Sequence, residues 1–560
     1  MVSKKRSQNK NVQLPIWEIA FAYLRDAESV LLPQHASFIQ GLIRARDVER
    51  LAELPDTLGY QYNEPGAARI IAQLSAFFKK NVDYAEETRC TRAAIESFTR
   101  AEELCRETND RLFAFYKREP KIAPSDPDFR KVVLVERMRK HLTDLFGERD
   151  VFLNSLPKGV KVTTGATRRL PRSLAWPINK VSKRSEGTVG SVLLFNALLQ
   201  SLGLKQWPLR VVEDNRLVFV PKSYKTHRTI AAEPEVSVAF QLSIDRYLKS
   251  RLLRHGIDLK HQSRNQELAR YGSITGTLAT VDLSMASDTM ALELIPFLLE
   301  EQWVTLLSSL RCAKYSAPWG SGVYHKFSSM GNGFTFPLET AIFWAAAKAV
   351  RSKTVSVYGD DIICDSDKYQ ELVDLLAFLG FSPNREKSFH VGPFRESCGA
   401  DYFGGVNIRP FFIKKSERLN KTDLCHNING LSAIAGENLQ RVLIQLVRDH
   451  RLPFVPWNEN TRSGIFVDEQ LLYERKLIKL RGWVAYFHGY KETTKLRTKA
   501  DVRAYILWHV LKQTISEPLV TSEIALGHKI RFAPMRWRIP SQQKPSHIYM
   551  WTRALRIAGL

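Results

Sequence analysis

The tetrapeptide Tyr358-Gly359-Asp360-Asp361 limits what this chain can be more than any other stretch of it. It lies between two short apolar runs, Thr354-Val355-Ser356-Val357 and Ile362-Ile363-Cys364. That pattern predicts a β-hairpin over 354–364 whose tip presents two adjacent carboxylates. Neighbouring carboxylates repel unless a cation lies between or above them, and a divalent metal is the simplest candidate. A plain polar turn, in which Gly-Asp is common, is the competing explanation. The hairpin therefore takes its meaning from its companions.

The first companion is charge. The chain has 560 residues, with 82 Lys and Arg against 58 Asp and Glu, a formal net charge of +24. An acidic site inside so basic a chain points to a polyanionic partner, most simply nucleic acid phosphates. A merely charge-rich surface is the alternative. The length suits roughly two to four subdomains. None of the six cysteines (Cys90, Cys105, Cys312, Cys364, Cys398 and Cys425) forms a CxxC pair, which argues against structural zinc and a disulfide framework. The basic stretch over 1–10 lacks the apolar core of a secretory signal. The apolar run over 341–350 is too short to span a bilayer and contains Lys348. A soluble cytoplasmic protein is expected.

Along the chain, 1–10 is expected to be a disordered basic arm, and about 15–117 to be mainly helical, with Thr88 to Lys117 one amphipathic helix. Residues 120–215 read as mixed. Arg216 to Val220 reads as a strand closed by Pro221, and Glu233-Pro234 as the opening of a helix. Leu278 to Asp282 reads as a buried strand ending in a carboxylate, followed by a long helix from about Met285 to Leu310. Gly331 to Val350 reads as a glycine-rich loop opening a helix, and a further helix is expected near 368–379. Beyond 415 a mainly helical region is expected, with Arg531, Arg536, Trp537, Arg538, Trp551 and Arg553 suited equally to RNA contact and to a helical core with a cationic face. The middle of the chain is α+β.

If Asp282 and the hairpin are neighbours in one antiparallel sheet, three carboxylates converge on one edge. Such hard oxygen ligands suit Mg²⁺, with Mn²⁺ as the alternative. Two ions about 3.5–4 Å apart can activate a 3′-hydroxyl and stabilise leaving pyrophosphate. Alone, Asp282 reads better as a helix N-cap. Three further stretches accompany it. Asp282-Leu283-Ser284-Met285-Ala286-Ser287-Asp288 holds two carboxylates a helical entry apart. Ser328-Ser329-Met330-Gly331-Asn332-Gly333-Phe334-Thr335 is a glycine-rich loop that backbone flexibility lets approach a nucleotide, with Asn332 able to bond a ribose hydroxyl. Pro221-Lys222-Ser223-Tyr224-Lys225-Thr226-His227-Arg228 sets Lys222, Lys225 and Arg228 on a turn suited to a triphosphate. In isolation each also reads as an ordinary turn or solvated loop.

Taken in order, these motifs resemble those of viral RNA-directed RNA polymerases with a right-hand fold of fingers, palm and thumb. The closer resemblance is to the replicase catalytic subunit of the single-stranded RNA bacteriophages, the levivirus family. It is carried by Gly256-Ile257-Asp258-Leu259, Ala279-Thr280-Val281-Asp282-Leu283-Ser284, Ser329-Met330-Gly331-Asn332-Gly333-Phe334-Thr335-Phe336, Tyr358-Gly359-Asp360-Asp361-Ile362-Ile363 and Gly392-Pro393-Phe394-Arg395-Glu396-Ser397-Cys398-Gly399-Ala400. These span about 215–415.

The resemblance implies an antiparallel palm sheet backed by helices and a largely helical C-terminal region. The expected divisions are 1–265 for the N-terminal and fingers region, 266–415 for the palm and 416–560 for the thumb. It implies replication of a phage RNA genome by two-metal nucleotidyl transfer. Asp282, Asp360 and Asp361 would ligate the metals, with the Leu283 carbonyl as a further ligand. Asp288, Ser329 and Asn332 would surround the ribose, and Lys222, Lys225 and Arg228 would hold the triphosphate. Lys387 would be the general acid toward pyrophosphate, with Arg385 competing. The 394–403 region would lie near the primer 3′ end. Implied partners are RNA, nucleoside triphosphates, the host elongation factors Tu and Ts, and a small-subunit ribosomal protein, in the cytoplasm of the infected bacterium. A reverse transcriptase and a non-catalytic RNA-binding protein are the alternatives.

Overall fold

The computed structural model describes residues 12–58, 64–175, 177–180, 184–201, 203, 205–481, 484–496, 525–538 and 544–560. The expected arm over 1–10 lies outside the described residues. At the centre is a three-stranded antiparallel sheet: Asp361–Asp365 between Leu278–Val281 and Ser356–Tyr358. Its strands follow a period of two. Ala279, Val281, Ile362 and Cys364 face the main core, whereas Leu278 and Ile363 pack on Ala269 of the Ser263–Thr275 helix. Against the core face lies the Thr335–Ala349 helix, buried on nearly every side. Covered on both faces, the sheet is rigid where its strands end, and the aspartates sit at those ends.

A second, four-stranded sheet runs His227–Ala232, Asp214–Pro221, Lys314–Ala317, Gly320–Val323. The Lys222–Thr226 turn joins its first two strands in space. The Glu87–Arg118 helix, 32 residues long, is a spine beside the His227–Ala232 strand of this sheet. Its Cys90 thiol donates to the Tyr224 carbonyl, and Asn109 Nδ2 donates to the His325 carbonyl.

Two expectations fail here. The helix expected from Met285 to Leu310 is broken into a 3₁₀ turn, Ala286–Asp288, and two helices, Leu294–Leu298 and Glu301–Leu310. Met285 adopts a left-handed φ of 55°, which a continuing helix does not allow. Among its described residues the C-terminal region is not largely helical. Its helices Lys421–Ser432, Glu437–His450 and Ser546–Ile557 share it with a long hairpin, Val484–Leu496 against Ala525–Arg538. There Ala485, Phe487 and Gly489 alternate with more exposed neighbours, a strand period that the Trp and Arg residues obscured. Of the residues suited equally to RNA contact and to a helical core, Trp551 is fully buried in the Ser546–Ile557 helix, as the second alternative has it.

The expected division at 265 also cuts across the packing. One core gathers residues from Cys105 to Phe381, while the other joins Val12–Phe78 to Ile413–Leu555. The join is specific. The Asp26 carboxylate accepts from the Asn438 and Leu439 N–H groups at 2.9 and 3.0 Å, capping the Glu437–His450 helix from outside its own segment. A local sequence window contains no trace of such a cap. Among the described residues no helix is long and apolar enough to cross a membrane.

Candidate active site

Antiparallel pairing of Ile362 with Val281 places Asp361 opposite Asp282 at the next step of the ladder. The tip residue Asp360 stands beside both. Its charge raises the pKa of Asp282 and of Asp361, after the larger effect of burial in each. Two segments seventy-eight residues apart in sequence are thus joined at one sheet edge. The tip is tight. Gly359 has φ +64°, donates its N–H to Thr340 Oγ1 at 3.1 Å, and leaves no room for a Cβ, which would lie 2.6 Å from Phe336.

Asp282 is clasped by the turn after Ser382–Pro383. Asn384 Nδ2 donates to its Oδ2 at 3.0 Å, its N–H reaches Ser388 Oγ at 3.1 Å, and Lys387 Nζ stands 3.9 Å from Oδ2. Burial pushes its pKa up and the Lys387 ammonium opposes this. Lys387 is half exposed. Arg385, its competitor, lies near Tyr369, a ring stacked on His390. Leu283 is buried in the short pair with Pro383.

Asp361 is held differently. Ser397 Oγ donates to its Oδ1 at 3.3 Å, and the Cys398 backbone N–H also donates to it. Burial drives its pKa up to about 7, with Asp360 adding to the rise. The three aspartates share an edge, yet among the described residues no three His, Cys, Asp or Glu side chains form a ready-made chelating group. Mg²⁺ ordinarily uses one or two carboxylates and completes its shell with substrate phosphate and water, so the donor set at this edge fits it.

The cationic turn divides. Lys222 lies within electrostatic reach of Asp282 and Asp360; burial lowers its pKa, and the neighbouring Arg228 and Lys387 lower it further. Lys225 is turned the other way, into an ion pair with Glu53 and over the Tyr224 ring. The Glu53 hydrogen bond raises its pKa. The structure therefore brings Lys222 to the aspartates, with Arg228 beside Lys222, and does not bring Lys225.

Around the ribose candidates the packing is close. Asp288 Oδ1 is 2.8 Å from the Nζ of Lys326, a lysine 1% exposed, whose ammonium is also 3.6 Å from Glu102. Asn332 Oδ1 accepts from the Phe334 N–H at 3.0 Å, and the Ser329 carbonyl accepts from Thr335 Oγ1 at 3.0 Å. Both residues are buried and order their own loop. Gly331, at φ +114°, presses that loop on the His227–Ala232 strand. A Cβ there would fall 2.1 Å from the Ala231 carbonyl oxygen. Gly331→Ala is expected to cost more than about 1 kcal/mol, because the residue combines a strained φ with a backbone clash. Chemical denaturation of the purified variant measures it, and an unchanged midpoint would refute the close packing.

A family model described as RNA replicase, beta-chain, matches residues 56–443. The chain belongs to that family. It is 34% identical to the RNA-directed RNA polymerase subunit beta of Escherichia virus Qbeta, over 76% of this chain and 73% of that one. It is 40% identical to the subunit beta of Enterobacteria phage SP, over 58% of this chain and 57% of that one. With the beta chain of Escherichia phage MS2 the identity is 42%, over 38% of this chain and 40% of that one. The match thus spans little more than half the length of the SP relative. Among solved structures, an RdRp complex aligns with a TM-score of 0.36 at 12% identity, over 57% of this chain and 33% of that one. The BmCPV RNA-dependent RNA polymerase at elongation state aligns at 0.35 and 12%, over 56% and 33%.

Several residues at this edge gave no sequence signal. Glu339 lies inside an apolar helix; it accepts from Ser287 Oγ at 2.7 Å, and burial, with Asp360 and Asp288 nearby, takes its pKa to about 8. A lone carboxylate among Phe, Ile and Ala was the available clue. Asn384, Ser397 and Lys326 resemble ordinary loop residues until folding brings them to Asp282, Asp361 and Asp288.

Proposed function

We propose that this chain is the catalytic subunit of a phage replicase, an RNA-directed RNA polymerase of right-hand architecture. The observation that carries the reading is the register that sets Asp282 against the Asp360-Asp361 tip, with Lys222 and Lys387 at the same edge and Arg228 beside Lys222. In this reading 266–415 is the palm, much of 87–265 the fingers, and 416–560, with the N-terminal helices packed on it, the thumb.

Asp282 and Asp360 would hold the metals, with Asp361 supporting from its bond to Ser397 and the Leu283 carbonyl as a further donor. Bound divalent ions supply Lewis-acid activation of the 3′-hydroxyl and of the α-phosphate. Lys222 and Arg228 orient and neutralise the triphosphate. The 3′-hydroxyl gives its proton to solvent as its oxygen bonds to the α-phosphorus and the α–β phosphoanhydride breaks, and Lys387 delivers a proton to departing pyrophosphate. Asp288, with Ser329 and Asn332 ordering the adjoining loop, reads the ribose. The template follows a basic channel through its phosphates, while base pairing selects each nucleotide. The word beta in the relatives' names supports a complex with further subunits. Host elongation factors Tu and Ts and a small-subunit ribosomal protein are the proposed partners, in the bacterial cytoplasm.

Purified chain, with and without bacterial extract, tests this on an RNA template with Mg²⁺. Incorporation of ribonucleotides that ends on chelation is expected. Preference for deoxyribonucleotides would make the chain a reverse transcriptase instead.

A further inference from the structure

A cavity of about 860 Å³ opens in the C-terminal region, lined by none of the residues discussed above as catalytic or nucleotide-binding. Two chain reversals supply its cations. Arg451 ends the Glu437–His450 helix at φ +48°, and Lys476 follows the Glu469–Glu474 helix at φ +55°. Arg475 stands beside Lys476, its guanidinium donating to the Leu560 carbonyl at 2.9 Å. Among the described residues no Asp or Glu side chain lines the cavity.

The long hairpin supplies its aromatic wall. His488 and Tyr490 point to one face of their strand, and Phe532 pairs across from Tyr490. Phe532 stacks on His488 at 5.6 Å and 25°, and meets Tyr490 edge-on at 6.0 Å. Phe532 is nevertheless 57% exposed. The ring is held flat by its neighbours and open to solvent, with Arg451 and Lys476 lining the same cavity, so a stacking face stands next to cations.

We propose that this cavity is a binding site for single-stranded RNA, separate from the aspartate edge, that takes one or two nucleotides. A base stacks on the open face of Phe532, and the flanking phosphates pair with Arg451 and Lys476. Stacking on a ring suits any base, and the cations track the backbone, so the site is sequence-tolerant. A polypeptide partner fits less well: the wall offers flat faces and point charges, without an apolar groove to receive side chains. The choice of RNA as the polymer rests on the polymerase reading, but the site's occupancy does not require synthesis.

The test is ultraviolet cross-linking of a short uridine-rich single-stranded RNA to the full chain, with peptide mapping, beside anisotropy titrations at several salt concentrations. Cross-links are expected at His488, Tyr490 or Phe532. Phe532→Ala should remove them and weaken the mapped site about tenfold or more, whereas Phe532→Trp should retain them. Arg451→Ala with Lys476→Ala should flatten the salt dependence. Absence of cross-links at these residues overturns the proposal, as does their capture of a co-purifying polypeptide in place of RNA. A chain that cross-links here but fails to polymerise even with bacterial extract would refute the polymerase reading and leave this one standing.

Discussion

Asp360→Asn is expected to reduce RNA-templated nucleotide incorporation by about a thousandfold or more while the protein stays folded. Metal-assisted charge stabilisation supplies several kcal/mol to a phosphoryl transfer, and about 1.4 kcal/mol is a factor of ten in rate. Asp360 is the group to test because it is the common neighbour: its charge bears on Asp282, Asp361, Glu339 and Lys222 together. It occupies the tip, not the ladder, so neutralising it breaks no strand pairing. Unfolding should be unaffected or slightly delayed, since one of several repelling carboxylates is lost. The measurement is single-turnover extension of a primed RNA, with circular dichroism on the same preparation. Activity within tenfold of the parent would remove Asp360 from the metal-binding role.

The same edge shows how far the sequence could be read. The hairpin was legible because a tight turn leaves a local mark: Gly359 at the tip between two β-branched runs. The meeting of Asp282 with Asp361 was legible only as a supposition, since strand register depends on contacts that lie far apart along the chain. Lys225 and Lys222 look equivalent on a basic turn. What separates them is Glu53, a residue of another segment, which draws Lys225 away. The C-terminal hairpin was missed because its alternation is carried by small or mixed residues such as Ala485, Gly489 and Ala533. The Asp26 cap on the Glu437–His450 helix shows the general limit. More than four hundred positions separate its partners, and no local pattern reports such a pair.

Lys326 carries the second large prediction. Its ammonium is withdrawn from water, and burial alone would lower its pKa; the Asp288 and Glu102 carboxylates outweigh that and raise it, so the lysine remains charged. It also lies over the Phe98 ring at 4.6 Å, which fixes the Glu87–Arg118 spine against the Asp288 turn. Lys326→Met should keep most of the volume and remove the charge. Breaking a buried pair from one side costs about 3–5 kcal/mol, because the remaining carboxylates are left uncompensated. A second change, Glu102→Gln, should recover part of that loss by removing one stranded charge, and a double-mutant cycle in denaturant reads the coupling directly. The kinetic consequence distinguishes a positioning role from a merely structural one. If Lys326 holds Asp288 toward the ribose, the stability-recovered double variant should still discriminate less between ribo- and deoxyribonucleotides than the parent. Selectivity equal to that of the parent would show that Lys326 supports the fold alone and that Asp288 keeps its place without it.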